Sequence, residues 1–176
     1  MNGLKITVGR RESGFTIVEL LIVIVVIAVL AAVTVVAFNG VQQRAKNAKI
    51  IEGVKLYEKT IRLYQADVGS LPNITGCLGA NYPSDQCWTG SNGIRVVSAA
   101  LDNLLAPYLA SKPTLTTTVL QITAAPDHRL GATYNYASQS DARIVYYLEG
   151  PGQRCINGSL GVTEMQGTQC TIQLGV

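Results

Sequence analysis

One carboxylate stands at the edge of a long apolar stretch near the start of the chain. Glu19 is followed by 19 residues, 20–38, that carry no formal charge and a single polar side chain, Thr34. At about 1.5 Å of rise per residue, a helix over this stretch nearly spans the roughly 30 Å hydrocarbon core of a bilayer. A carboxylate in such a helix costs on the order of 3 kcal/mol on insertion scales. We therefore expect Glu19 to have a cationic partner and a function.

The residues before Glu19 indicate what that function is. Two adjacent cations are followed by Gly14, Phe15, Thr16 and Glu19, and then by the apolar run. This pattern resembles the N-terminus of a type IV prepilin. The resemblance implies that a prepilin peptidase cleaves between Gly14 and Phe15 and methylates the new amino group of Phe15. It also implies that Glu19 meets the N-terminal ammonium of a neighbouring subunit and sets the axial register of a filament.

The order of these segments determines what the mature chain keeps. An ordinary secretory signal carries its apolar segment before the cleavage site and loses it. Here the segment follows the site, so cleavage removes a leader, 1–14, and leaves a membrane helix, 15–38. Cations flank the apolar run at both ends and give no clear orientation. The orientation, with the rest of the chain outside the cytoplasm, follows from the prepilin resemblance and from the cysteines. Glu12 or Ser13 is a candidate cap for the helix in the precursor.

Four cysteines lie beyond the apolar run, at Cys77, Cys87, Cys155 and Cys170. An even number without a C-x-x-C pair favours two disulfides in an oxidising compartment over a zinc site. Three pairings are possible. We favour the two local ones, Cys77–Cys87 and Cys155–Cys170, because each closes a single loop. The second pair resembles the disulfide-bounded C-terminal loop of many pilins, which is often exposed and adhesive.

Other residue types offer little chemistry. His128 is the only histidine, and its neighbours Asp127 and Arg129 favour a solvated loop. The chain has no G-x-S-x-G, Walker loop, H-E-x-x-H or EF-hand pattern. Asp127 and Asp141 are a weak candidate pair for calcium, which some secretion pseudopilins bind. We therefore predict no catalytic residue, no cofactor and no resident metal, and a protein that is not an enzyme.

The helix is predicted to continue past the membrane to about residue 65. Over 39–66, apolar residues recur every three or four positions and should pack against the rest of the protein; they include Val41, Ala45, Ala48, Ile51, Val54, Tyr57, Ile61 and Tyr64. Asn39-Gly40 is the weak joint, because glycine costs about 1 kcal/mol relative to alanine within a helix. Residues 44–62 carry six cations against two acids. We interpret that excess as a solvated or filament-facing surface, with DNA binding as the alternative.

The remaining residues, 67–176, suffice for one compact head. A long disulfide-closed loop is predicted over 73–93 and a short helix over 98–110, with Ser98 as its cap and a bend at Pro107. Predicted strands follow at Leu115–Ile122, Ala132–Ala137, Arg143–Glu149 and Thr168–Leu174, with a turn at Gln139–Asp141. The fold class is α+β, a long N-terminal helix packed on a small antiparallel sheet.

From these features we predict a structural subunit of a type IV pilus, polymerised through its N-terminal helix and serving adhesion, twitching motility or DNA uptake. The alternative is a pseudopilin of a type II secretion or competence system. The two predicted disulfides and the Cys77–Cys87 loop favour the pilus. A membrane-anchored binding module or enzyme is less favoured, since the head offers no convergent set of polar groups.

The resemblance also implies partners and a location. The expected partners are other pilin subunits, the prepilin peptidase, the pilus assembly machinery and the cytoplasmic membrane, with DNA or a host-cell surface as a further partner. The chain would lie in the cytoplasmic membrane as a single-pass protein before assembly. It would lie in an extracellular filament afterwards.

Overall fold

The computed structural model describes residues 14–90, 93–115, 120–121, 128–157, 161–163 and 166–175. The chain divides into two compact units, Met1–Val41 and Gln42–Val176. One helix, α1, contributes residues to both units, and every described strand lies in the second.

Helix α1 covers Ile17–Val68, three residues further than the sequence predicts at its C-terminal end. Within the described part of the chain it is the one helix long and apolar enough to cross a membrane. Its most apolar 18-residue window has a mean hydropathy of 3.4, and none of that window is buried. The residue that follows the helix, Gly69, has φ +82° and donates its N–H to the Gln65 carbonyl at 2.9 Å. A left-handed glycine at this position is a common helix stop.

Only the C-terminal part of the predicted apolar stripe is buried. Val54, Tyr57 and Ile61 are at most 1% exposed and form one core with the sheet described below, and Ile51 and Tyr64 are partly buried against it. Ile50, which is not in the predicted stripe, is also buried in this core. Val41, Ala45 and Ala48 are exposed, so this part of the prediction is wrong. Their spacing is helical, but in the second unit burial of the helix begins only at Asn47, where the sheet starts to cover it.

Besides the C-terminal part of α1, the described residues of the second unit form two antiparallel sheets and one short α-helix. Its elements are β1 Gly76–Leu78, β2 Gln86–Gly90, β3 Gly93–Val96, α2 Ala99–Leu105, β4 Leu120–Gln121, β5 His128–Arg129, β6 Ala132–Tyr136, β7 Ala142–Glu149, β8 Val162–Thr163 and β9 Gly167–Gln173. A five-stranded sheet has the order β1-β6-β7-β9-β8, and a four-stranded sheet has the order β3-β2-β5-β4. The predicted α+β fold, a long helix followed by a small antiparallel sheet, is confirmed.

The prediction that residues 73–93 form a long loop is wrong in part. This segment supplies β1 to the five-stranded sheet and β2 to the four-stranded one. Its strands pair with β6 and β5, which lie about 40 to 60 residues further along the chain. The polar composition of the segment gave no sign of these distant partners. Of the predicted strand 115–122, the structure describes Leu120–Gln121 as β4, and 116–119 and 122 lie outside the described residues.

The central strand β7 separates two layers because its side chains alternate between faces. Ile144, Tyr146 and Leu148 are buried in the core that includes α1. Val145 and Tyr147 lie on the opposite face and form a second, smaller cluster with Leu120 of the four-stranded sheet. The five-stranded sheet is therefore packed on both faces.

A polar clamp fixes α1 to the end of β7. The side chain of Asn47, 5% exposed, donates to the Glu149 carbonyl at 3.0 Å and accepts from the Glu149 N–H at 2.8 Å. Gln43 donates to the same carbonyl at 2.6 Å, and Lys46 pairs with the Glu149 carboxylate at 3.1 Å. The clamp satisfies the last backbone groups of the strand where it leaves its neighbours.

Helix α2 begins as its sequence predicts. The Ser98 hydroxyl accepts from the Leu101 N–H at 3.3 Å, which makes Ser98 the N-cap. Beyond Leu105 the chain continues as a 3-10 turn, Ala106–Tyr108, which contains Pro107. Leu101 and Leu105 are buried and join the core that includes α1.

Candidate functional site

The first turn of α1 is closed by a reciprocal pair of side chains, Thr16 and Glu19. The Glu19 carboxylate accepts from the Thr16 N–H at 2.9 Å and from the Thr16 hydroxyl at 2.8 Å. In return the Thr16 hydroxyl accepts from the Glu19 N–H at 3.2 Å. This is a capping box, in which the first and fourth residues of a helix start satisfy each other's free donors. The T-I-V-E sequence at residues 16–19 is the signal for this box. The predicted cap was instead Glu12 or Ser13, and both lie outside the described residues.

The residues on either side of the predicted cleavage site are open to solvent. Among the described residues, no atom other than those of Gly14 and its chain neighbours lies within 4 Å of the position that a Cβ on Gly14 would take, and Phe15 is 86% exposed. The peptide bond between them precedes the helix and is free of its hydrogen-bond ladder. A peptidase can therefore reach this bond without unfolding α1.

The apolar side chains that follow are exposed on every face of the helix. From Ile17 to Val33 the large hydrophobic residues are between 49% and 81% exposed. A contiguous apolar surface of this kind indicates a lipid or protein partner. Among the described residues, Glu19 lies in no ion pair, and its carboxylate binds only Thr16.

The structure joins all four cysteines in the two local pairings, Cys77–Cys87 and Cys155–Cys170. The first bond links β1 of the five-stranded sheet to β2 of the four-stranded sheet. The second ties the segment after β7 to β9. All four cysteines are buried, so both bonds belong to the interior of the second unit.

Comparisons with known proteins agree with this arrangement. Residues 9–35 match the prokaryotic N-terminal methylation motif. The chain has a prepilin-like N-terminus. Curated relatives include three proteins named type II secretion system core protein G, from Dickeya chrysanthemi (31% identical over 88 residues), Aeromonas hydrophila (32% over 63) and Pectobacterium carotovorum subsp. carotovorum (29% over 89).

These alignments are partial. They cover 43%, 36% and 44% of this prepilin-like chain, and the chain spans 58%, 44% and 57% of the length of the three relatives. No solved structure is similar enough to count as a match.

The cations of the prepilin-like helix do not form one free basic face. Lys46 takes part in the clamp on Glu149, and Arg62 donates to the Leu174 carbonyl at 2.7 Å. Five of the six cations are exposed, Arg44, Lys49, Lys55, Lys59 and Arg62, and Lys46 is half-buried. Two of the six predicted basic residues therefore attach the helix to the sheet, which weakens the DNA-binding alternative.

The prediction that His128 is a solvated loop residue beside Asp127 and Arg129 is wrong, because His128 is half-buried and lies in a strand. His128 and Arg129 form β5, paired with Thr89 and Trp88 of β2, and Arg129 is 5% exposed. Asp127 lies outside the described residues, and Asp141 pairs with Arg143 at 3.7 Å. Within the described ranges, no group of three or more His, Cys, Asp or Glu side chains could hold a metal ion.

Proposed function

We propose that this chain is a pseudopilin-like structural subunit of a type II secretion machine. The observation that carries the proposal is the similarity to several proteins named type II secretion system core protein G, together with the methylation motif at residues 9–35. This was the alternative function from the sequence, and the relatives support it better than the pilus subunit. We assign the chain no enzymatic activity.

The proposed assembly proceeds through the N-terminal helix. A prepilin peptidase cleaves after Gly14 and methylates Phe15, and the helix over 15–38 holds the subunit in the cytoplasmic membrane. In the filament, the same exposed apolar side chains pack against the helices of other pilin-like subunits. Glu19 then exchanges its local bonds with Thr16 for the ammonium of a neighbour's Phe15. Placing a charged carboxylate in an apolar environment costs free energy, and a neighbouring cation offsets that cost.

A type IV pilus subunit is the second candidate function. It is favoured by the segment between Cys155 and Cys170, which the structure closes with a disulfide. By resemblance to pilins, that segment would be exposed in an extracellular filament and would contact a surface or DNA. If the chain is a pilus subunit, its expected partners include DNA or a host-cell surface, and its expected location is an extracellular filament.

Processing can be tested by intact mass and N-terminal sequencing of the protein from its native membrane. We expect a chain that begins at Phe15 and carries one added methyl group. Gly14→Trp should block cleavage, because a bulky side chain replaces the small one beside the cut, while Gly14→Ala should be cleaved. A wild-type chain that still begins at Met1, or normal cleavage of Gly14→Trp, would contradict the assignment.

The machine can be identified by deleting the gene in its host and measuring both exported proteins and surface filaments. A pseudopilin predicts that exported proteins disappear from the culture medium and return when the wild-type gene is restored. Loss of surface pili with normal protein export would assign the pilus instead and overturn the proposal.

A further inference from the structure

A polar groove lies on the face of the five-stranded sheet that points away from α1. Its volume is about 460 Å³. The strand register places Asn135 opposite Arg143, and Val145 opposite Thr171, so these side chains share one face. The groove is lined by side chains from both sheets, among them Trp88, Arg95, Asn135, Arg143, Gln169 and Thr171.

Trp88, which lines the groove, lies in a row of cations and aromatic rings. The register pairs Trp88 with Arg95 of β3 on one side and with Arg129 of β5 on the other. The guanidinium carbon of Arg129 lies 3.8 Å from the centroid of the Trp88 ring, and that of Arg95 lies 5.6 Å from it. Tyr147 packs edge-on against the same ring at 6.4 Å. Cation–π and edge contacts therefore hold the indole in one position.

Within the described part of the chain, two hydrogen-bond donors of groove-lining residues have no acceptor. The indole Nε1 of Trp88 and the Nε of Arg95 are buried, and neither binds any atom of the described residues. Buried donors are nearly always paired, because an unpaired one loses its hydrogen bonds to water without replacement. Both atoms belong to residues that line the groove.

The charge of the lining favours an anionic acceptor. Arg95 and Arg143 face a single described acid, Asp141, which lies 3.7 Å from Arg143. Both side chains of that pair are about half exposed, at 49% and 48%, so their attraction is weak. A carboxylate can accept two parallel hydrogen bonds from a guanidinium, and such charge-assisted bonds are the strong ones.

We propose that the groove binds an acidic saccharide, with a uronate carboxylate held by Arg95, Arg143 and the Trp88 indole. The amides of Asn135 and Gln169 and the hydroxyl of Thr171 match the ring hydroxyls of a sugar. A volume of about 460 Å³ lies within the usual range of small-ligand sites. This site lies in the second unit and does not depend on the proposed role in secretion.

Trp88 provides the readout because it is the only tryptophan in the chain. The full chain in detergent micelles is titrated with galacturonate while the indole fluorescence and the indole N–H resonance are recorded. We expect a saturable fluorescence change and a shift of the N–H signal as it gains an acceptor. Galactose, which lacks the carboxylate, and acetate, which lacks the ring, should bind at least about tenfold more weakly.

Variants separate the site from a general effect of charge. Arg143→Gln and Arg95→Gln should each weaken galacturonate binding by about tenfold or more. Arg44→Gln is the matched control, since Arg44 is exposed on α1 and does not line the groove. Arg143→Gln decides the test if Arg95→Gln unfolds, because Arg143 is half exposed. No saturable response, an equal response to galactose or acetate, or an equal loss in Arg44→Gln would overturn the proposal.

Discussion

At the scale of single residues, Glu19 has one observed role and one proposed role. In the structure its carboxylate closes a capping box with Thr16, a local contribution worth about 1 kcal/mol to a helix start. In the proposed filament the same carboxylate binds the ammonium of a neighbouring Phe15. The first role needs hydrogen-bond acceptors, and the second needs a negative charge.

Two substitutions separate these roles. Glu19→Gln keeps the capping geometry, since glutamine also serves at this position, but removes the charge. Thr16→Val keeps the charge and the shape but removes the hydroxyl. We expect both variants to insert and to be cleaved, and only Glu19→Gln to lose assembly. Cross-linking of neighbouring subunits in membranes measures assembly, and normal assembly of Glu19→Gln would rule out the ammonium contact.

At the scale of elements, two glycines of α1 differ in their surroundings. A Cβ at Gly40 would meet no atom within 4 Å. A Cβ at Gly53 would collide with the Leu115 side chain and come within 3.3 Å of Pro113. Leu115 is fully buried and has little room to move. Gly53 therefore allows the chain after α2 to approach the helix closely, whereas Gly40 has no such contact.

Replacing each glycine by alanine tests this difference. Gly40→Ala should stabilise the helix by about 1 kcal/mol through propensity alone. Gly53→Ala gains the same propensity but should lower the free energy of unfolding of the second unit by about 1–3 kcal/mol through overpacking. Urea unfolding, followed by circular dichroism and Trp88 fluorescence, measures both. A Gly53→Ala variant as stable as the wild type would show that Leu115 can move aside.

At the scale of the whole second unit, buried tyrosines join the core to the surrounding loops. The Tyr57 hydroxyl accepts from the Gly79 N–H at 2.9 Å, and the Tyr146 hydroxyl accepts from the Ile156 N–H at 2.7 Å. The Tyr82 hydroxyl donates to the Leu78 carbonyl at 2.5 Å, and that of Tyr134 donates to the Pro72 carbonyl at 2.8 Å. Each ring fills the core while its hydroxyl binds the backbone, at the last residue of β1 in the case of Tyr82 and outside the strands in the other three cases.

This arrangement predicts a loss of stability at alkaline pH. Burial raises the pKa of Tyr57 from 10.0 to about 12, and burial also raises the pKa of Tyr82 and Tyr134. Below pH 10 the phenols are protonated in both states and contribute no pH dependence. Above pH 10 the unfolded chain releases these protons first, so the free energy of unfolding should fall between about pH 10 and pH 12.

Urea unfolding at a series of pH values measures this fall, with Tyr57→Phe as the comparison. The variant should be less stable near neutral pH, because the Gly79 N–H loses its acceptor. Its stability should then decrease less steeply above pH 10, because one titrating group is gone. An identical slope in the two proteins would show that Tyr57 does not couple ionisation to folding.

Local patterns in the sequence were enough for the parts of the protein that depend on neighbouring residues. The prepilin-like N-terminus was identified by resemblance, from Gly14, Phe15, Thr16, Glu19 and the apolar run. The uninterrupted apolar helix and the α+β class follow from spacing and composition, because these features arise within one helix or between adjacent segments. The Thr16–Glu19 capping box was equally local, and its T-x-x-E signal was present in the sequence.

The tertiary structure alone decided which distant segments meet. Strand β2 lies within the segment predicted as a loop, and its pairing with β5 places Trp88 beside Arg129. The clamp of Asn47 on Glu149 joins residues 102 positions apart. Such contacts are set by strand register and by the packing of faces over the whole core. Residue patterns within a short stretch of sequence therefore could not predict the four-stranded sheet or the groove that both sheets line.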